Sequence, residues 1–109
     1  MTLTFDEYQA LARRTQNKSL TPHERLEHAL FGLCSEVGEI HSIYQKAYQG
    51  HAVDHVKVMD EMGDALWFLA ELSDVLGLRL DAVAKENIRK LMQRYPDGFS
   101  AEQSVHRKI

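Results

Sequence analysis

The segment from residue 55 to residue 76 constrains the fold more than any other, because a helix there is apolar around most of its circumference. Such a helix must be covered on several sides. A chain of 109 residues supplies few covering elements. The segment therefore predicts a homodimer or a larger assembly. Its apolar residues are Val56, Val58, Met59, Met62, Ala65, Leu66, Trp67, Phe68, Leu69, Leu72, Val75 and Leu76.

Apolar periodicity predicts helices elsewhere in the chain and no strands. A first helix spans about residues 5–17. A second begins at Pro22, where Thr21 and Glu24 can form a capping box and the missing proline N–H costs nothing. Its apolar residues are spaced alternately by four and three as far as a stop near Gly50, which is typical of a helix packed almost antiparallel on a neighbour.

Local start and stop signals place two more helices. Asp54 is the predicted cap of the third helix, and Gly77 its stop. Asp81 is the predicted cap of a fourth helix, which runs to about Tyr95 because the residue before Pro96 is pushed out of helical geometry.

The chain is predicted to form one domain over residues 1–109. Its fold class is all-α, an antiparallel bundle of about four helices with its core in residues 22–96. Residues 97–109 are predicted as a short helix or a mobile tail.

Composition excludes several classes of function. A net charge of -3 gives no general electrostatic case for nucleic acid or an anionic membrane as partner. Cys34, the single cysteine, excludes an internal disulfide and a cysteine-based zinc site, and it is predicted as a buried structural thiol. No apolar run approaches the roughly 18 residues of a membrane span, and no secretory leader is recognisable. The predicted location is the cytoplasm.

Two pairs of carboxylates, each spaced by three residues, lie on the second and third helices: Glu36 with Glu39, and Glu61 with Asp64. Each pair projects from one face. The pairs lie about 16 and 10 Å from the connecting turn, so they face one another across antiparallel helices. Only Glu61 has a basic residue, Lys57, at helical contact distance. Crowded carboxylates without His or Cys suit a hard cation, Mg²⁺ before Mn²⁺; the alternative is surface charge.

Other acidic pairs have the same spacing. Glu24 with Glu27 and Glu71 with Asp74 are predicted to be solvated, the latter because helical phase places Glu71 about 80° from the Glu61 face. The six histidines form no Glu-x-x-His pair, which argues against a di-iron bundle. They are predicted as surface or helix-end residues rather than ligands.

The two acidic pairs, followed by "ENIRKLMQRYPDGFS", resemble the MazG-like all-α nucleoside triphosphate pyrophosphohydrolases over about residues 22–100. The resemblance implies a MazG-like bundle that assembles as a dimer or a dimer of dimers. It implies Mg²⁺-dependent hydrolysis of a nucleoside triphosphate to a monophosphate and pyrophosphate, with Mn²⁺ as a substitute ion. The implied purpose is housecleaning of the (d)NTP pool.

The resemblance also implies residue roles. The implied metal ligands are Glu36, Glu39, Glu61 and Asp64. The implied catalytic residues are Glu36, Glu39 and Lys90. The implied substrate-binding residues are Asn87, Lys90, Arg94 and Tyr95, of which Lys90 and Arg94 would neutralise phosphate oxygens.

Several alternatives stay open at this point. Many members of the family have a further glutamate where this chain has Ser35, so the general base is open between Glu36, Glu39 and a water activated without a dedicated side chain. Without the resemblance, Lys90 and Arg94 are equally explained as cations that favour the C-terminal end of a helix. The alternative functions are a phosphoribosyl-ATP pyrophosphatase and a non-catalytic helical dimer that binds a nucleotide or a protein.

Overall fold

The computed structural model describes residues 1–107, and its regular structure is helical. The helices are α1 (Phe5–Arg13), α2 (Pro22–Ala47), α3 (His55–Val75), α4 (Leu80–Arg94) and α5 (Ala101–Val105). The all-α prediction is confirmed, since an isolated bridge between Pro96 and Gly98 is the nearest approach to a strand in these residues. No helix of the described part combines the length and the apolar character that crossing a membrane requires.

Local capping chemistry sets the start of the longest helix. The Thr21 side chain accepts a hydrogen bond from Glu24 N, and the Glu24 side chain accepts one from Thr21 N, so the predicted capping box is confirmed. Asp54 caps α3 by accepting from Val56 N, also as predicted. Gly50 follows α2 at a φ of 93°, a conformation that favours glycine because it has no Cβ.

A tertiary contact rather than a local cap sets the start of α4. Asp81 lies inside the first turn, so the prediction that it caps this helix is wrong. The reason is Gln9 of α1, whose Oε1 accepts a hydrogen bond of 2.7 Å from Leu80 N. Gln9 thus satisfies an amide that a capping side chain would otherwise satisfy, and the helix begins before Asp81.

The helices α2 and α3 form the central antiparallel pair, while α1 and α4 pack beside α3. α1 is shorter than predicted and ends at Arg13. The Thr15 and Gln16 side chains beyond it reach Trp67 and Asp74 of α3. The tail contains the short helix α5, whose Ser100 side chain accepts from Gln103 N; residues 108–109 of the predicted tail lie outside the described residues. The small core comprises Ala12, Ala70 and Leu80, with Tyr8, Leu66 and Trp67 packed against it.

Close packing of α2 on α3 depends on Gly32. A Cβ at this position would overlap the ring of Phe68, which lies against it. We expect Gly32→Ala to lower the free energy of unfolding by about 1–3 kcal/mol, because a rigid ring must move. Gly38→Ala on the same helix is the matched control, since a Cβ there meets nothing within 4 Å. We expect it to raise stability by up to about 1 kcal/mol through helix propensity.

Chemical denaturation of both variants measures the difference. Equal effects of Gly32→Ala and Gly38→Ala would contradict the close approach at Phe68.

One chain leaves much of its apolar surface uncovered. It exposes 8230 Å², whereas a folded monomer of this mass exposes about 6200 Å². The radius of gyration is 17.2 Å, against about 13 Å for a compact domain of this length. Phe31, Met59 and Met62 are each more than half exposed. Cys34 is also exposed, and its predicted burial is wrong, because α2 packs mainly on α3 and leaves its other faces open.

Candidate active site

Three of the four predicted metal ligands meet where α2 crosses α3. Glu36 of α2 and Glu61 and Asp64 of α3 each offer a carboxylate oxygen, and these oxygens lie within 4.8 Å of one another. Glu61 and Asp64 share a helix face because they are three residues apart. Glu36 and Glu61 are half-buried, and Asp64 is exposed. We call these residues the acidic cluster.

Mutual repulsion dominates the electrostatics of the acidic cluster. The Glu61 carboxyl hydrogen-bonds the protonated form of Glu36 and, together with burial and the charges of Asp64, Glu61 and Glu39, raises the pKa of Glu36 to about 7. The pKa of Asp64 is raised by burial and by the charges of Asp60 and Glu61. Ionising all the members of the cluster is therefore unfavourable unless a positive charge lies between them.

The acidic cluster fits a divalent cation. Glu36 Oε2 is shielded from solvent and has no hydrogen-bond partner among the described residues. A buried oxygen of this kind costs free energy unless a donor or a cation satisfies it. The ligands are all carboxylates, the donor set preferred by Mg²⁺ and similar hard ions.

Glu39 lies beside the acidic cluster and outside the set of oxygens that meet there. Its side chain is exposed. It lines a cavity of about 420 Å³ that it shares with Glu61 and with two lysines, Lys46 and Lys57. The two lysines place positive charge next to the acidic cluster, but Asp54 also lines the cavity, so three carboxylates oppose two lysines. An anionic group held there therefore depends on a bound cation to offset the negative charge.

The predicted substrate-binding residues of α4 lie elsewhere on the chain. Asn87 and Lys90 line a separate cavity of about 420 Å³ on α4. Arg94 is half-buried. The Tyr95 ring lies 5.5 Å from the Phe99 ring, and hydrogen bonds from Ser104 and Arg107 contribute to lowering its pKa. The cavity lined by Asn87 and Lys90 contains no residue of the acidic cluster.

The helix seam that carries the acidic cluster also carries a buried carboxylate with a half-exposed histidine partner, a contact that the sequence reasoning missed. His28 Nδ1 lies 2.6 Å from Glu71 Oε1, and Glu71 has an exposure of 0%. The prediction that Glu71 is solvated is wrong. Glu71 lies about 80° around the helix from Glu61, but it follows Asp64 by seven residues, or about two turns. It therefore lies on the same helix face as Asp64. That spacing was the signal that could have found it.

Asp74, the other member of that predicted solvated pair, is also nearly buried, at 8% side-chain exposure. It accepts hydrogen bonds from Gln9, Arg13 and Gln16. Burial acts to raise the pKa of Asp74, but these donors outweigh burial and lower it. The pair at Glu24 and Glu27 is exposed, as predicted.

The raised pKa of Glu36 predicts a pH dependence of stability in the presence of a chelator. The pKa is about 7 in the folded chain against an ordinary value of 4.5, so between these values the folded state binds more protons than the unfolded state. The free energy of unfolding therefore rises as the pH falls from 8 to 5. We expect Glu36→Gln to flatten this dependence.

Urea denaturation at pH 8 and pH 5 measures the effect. Titrating groups outside the acidic cluster are common to both proteins, so they cancel in the comparison. An unchanged slope in Glu36→Gln would contradict the assignment. Added Mg²⁺ should stabilise the wild type more at pH 8 than at pH 5, because its ligands must be deprotonated.

Comparison with known proteins identifies one family. Residues 23–99 match the family model described as the MazG nucleotide pyrophosphohydrolase domain. Neither a curated protein nor a solved structure matches the chain. The match spans the acidic cluster and all of α4, so the regions that carry the candidate site are those that the family model describes.

Proposed function

Because the chain belongs to the MazG nucleotide pyrophosphohydrolase domain family, we propose that it hydrolyses a nucleoside triphosphate between the α and β phosphorus atoms in a Mg²⁺-dependent reaction. The products are a nucleoside monophosphate and pyrophosphate. The acidic cluster is the observation that carries the proposal, since three converging carboxylates form a binding site for the ion that such a reaction uses. Removal of unwanted (d)NTPs from the cytoplasm is the proposed purpose.

The proposed role of each residue follows from its place in the site. Glu36, Glu61 and Asp64 would hold the cation, Mg²⁺ or its substitute Mn²⁺. When bound, the cation supplies positive charge that binds phosphate oxygens and lowers the pKa of water. Glu39 is exposed beside this point, so it can receive the proton of the attacking water, and Glu36 is the competing candidate.

We propose that a second copy of the chain completes the site. The cavity that Asn87 and Lys90 line contains none of Glu36, Glu61 and Asp64. The exposed area exceeds that of a compact monomer by an amount comparable to a stable protein interface. A dimer or a dimer of dimers would cover exposed apolar side chains such as Met59 and Met62 and would bring Lys90, Arg94, Asn87 and Tyr95 of one protomer towards the acidic cluster of another.

Mixing of inactive variants tests this arrangement. Glu61→Gln and Lys90→Gln proteins, each inactive alone, are unfolded together, refolded together and assayed. If the residues act across protomers, mixed assemblies contain an intact site and activity returns to a sizeable fraction of the wild-type value. Light scattering gives the mass of each sample. A monomeric wild type, or assemblies without recovered activity, would contradict completion by a second copy.

Incubation with a panel of dNTPs and NTPs tests the reaction. The expected products with Mg²⁺ are a monophosphate and pyrophosphate, and a chelator should stop turnover. Orthophosphate and a diphosphate as products, or no turnover of any nucleotide, would contradict the proposal. Phosphoribosyl-ATP is included in the panel, because preferential turnover of that compound would identify the alternative substrate.

A further inference from the structure

A second large cavity lies at the opposite end of the α2–α3 pair from the connecting turn. It has a volume of about 620 Å³ and is walled by α1, the start of α2 and the connection between α3 and α4. This volume is within the range of small-molecule binding sites. Polar and charged side chains form most of its wall.

The charged residues of this cavity carry a net positive charge. Four cations line it, Arg13, Lys18, Arg25 and Arg79, against two carboxylates, Asp6 and Asp74. Arg13 pairs with Asp74 at 2.8 Å, and Arg79 pairs with Asp6 at 2.6 Å. Both carboxylates are therefore already neutralised, and two positive charges remain.

Those two remaining charges belong to Lys18 and Arg25. Within residues 1–107, neither side chain lies within ion-pair distance of a carboxylate. Like charges placed around one cavity repel each other unless an anion lies between them. Their arrangement therefore calls for a negatively charged occupant.

The Arg25 guanidinium is fixed by one hydrogen bond, while its Nε has no acceptor in the described part of the protein. Its Nη2 donates a hydrogen bond of 2.7 Å to Gln16 Oε1, and Gln16 in turn donates to Asp74 at 2.7 Å. Gln16 is only 7% exposed, so this support is rigid and largely buried. Arg25 Nε is shielded from solvent and has no acceptor among the described residues. The guanidinium lines the cavity and is fixed by Gln16 without being neutralised, so its accessible N–H groups can donate to a ligand oxygen.

The cavity is distinct from the acidic cluster. Along α2, Arg25 precedes Glu36 by about 16 Å, and along α3, Asp74 follows Asp64 by about 15 Å. The Gly32–Phe68 contact lies between the two sites on the same seam. No residue of the acidic cluster lines the cavity.

We propose that this cavity binds a phosphorylated small molecule, whose phosphate oxygens contact Arg25 and Lys18. A guanidinium presents parallel N–H donors that match phosphate oxygens, and a lysine ammonium adds a mobile point charge. The volume exceeds what one phosphate needs, so the occupant is a diphosphate or a nucleotide rather than a simple ion. The proposal does not depend on catalysis at the acidic cluster.

Calorimetric titration in EDTA tests the proposal, since removing divalent cations prevents phosphates from binding through a metal. The probes are pyrophosphate and adenosine monophosphate. Wild-type protein is expected to bind at least one of them, and Lys18→Gln with Arg25→Gln is expected to weaken binding at least about tenfold. The tighter probe identifies whether a free diphosphate or a nucleotide is the occupant.

Two controls make the result specific. Lys85→Gln with Arg89→Gln removes the same residue types from the exposed surface of α4 and should change affinity less than about twofold. Glu61→Gln with Asp64→Asn should leave binding intact, because the acidic cluster lies at another place on the seam. Lys18→Gln alone, at an exposed loop position, keeps the test valid if loss of the Arg25 contact to Gln16 disturbs folding.

Three results would overturn the proposal: no binding of either probe at millimolar concentration, equal weakening in the α4 control, or loss of binding in the acidic-cluster variant. Weakening in Lys18→Gln with a retained helical circular dichroism spectrum supports it.

Discussion

Replacing Glu61 by Gln and Asp64 by Asn together is expected to lower kcat/KM for the preferred nucleoside triphosphate by at least about a thousandfold. The double substitution removes two of the three charges that meet within 4.8 Å while keeping the size of both side chains. In EDTA the variant should be at least as stable as the wild type, because it relieves the repulsion that raises the pKa of Glu36. Mg²⁺ should no longer raise its melting temperature.

A matched variant tests whether the loss of activity comes from the acidic cluster itself or from a lower total negative charge. Glu27→Gln with Glu102→Gln removes two exposed carboxylates at other positions and should leave turnover and the Mg²⁺ stabilisation unchanged. Steady-state kinetics and thermal melts with and without Mg²⁺ measure both properties. Substantial turnover in the acidic-cluster variant would exclude the cluster as the catalytic metal site, whatever the nucleotide preference of the enzyme.

Replacing His28 by Ala is expected to lower the free energy of unfolding by about 1–3 kcal/mol, because buried Glu71 loses its hydrogen-bond partner. This substitution removes the partner that lies 2.6 Å from Glu71 Oε1. Glu71 Oε2 already lacks a partner among the described residues, so the carboxyl would then keep no hydrogen-bond partner among them. Water that enters the space left by the half-exposed imidazole limits the cost. The effect is large because a small domain has a total stability of only about 5–15 kcal/mol.

The chain supplies a matched control for this prediction. His23 and Glu27 also lie 2.6 Å apart on α2, but both are exposed, and the loss of a surface pair has little effect. Adding Glu71→Leu to His28→Ala should restore much of the lost stability, because an apolar side chain then fills the buried space. Urea denaturation curves compare the variants. A cost of His28→Ala no larger than that of His23→Ala would contradict the role of His28 as the partner of a buried carboxylate.

The seam between α2 and α3 explains why these effects are so different. It carries the acidic cluster, then the contact of Gly32 with Phe68, then the pair of His28 with Glu71. The Phe68 ring lies 5.5 Å from the His28 ring and 5.1 Å from the Trp67 ring. Close packing thus separates an open acidic site that can bind a ligand from a buried carboxylate, Glu71, whose histidine partner stabilises the fold.

Local sequence signals were sufficient for the starts of α2 and α3 and for the shared face of Glu61 and Asp64. Thr21, Glu24 and Asp54 cap helices where predicted, because capping bonds join residues only two or three positions apart. The spacing of Glu61 and Asp64 places them on one face through helix geometry alone. Such relations hold wherever the helix lies in the fold.

Only the tertiary structure decided which side chains from different helices lie in contact. It placed Glu36 with the α3 pair and Glu39 beside it, and it buried Glu71 through a partner 43 positions away in the chain. It also began α4 at a hydrogen bond to Gln9, 71 positions away. Contacts of this kind depend on the rotation and spacing of packed helices, which local propensity and periodicity do not encode.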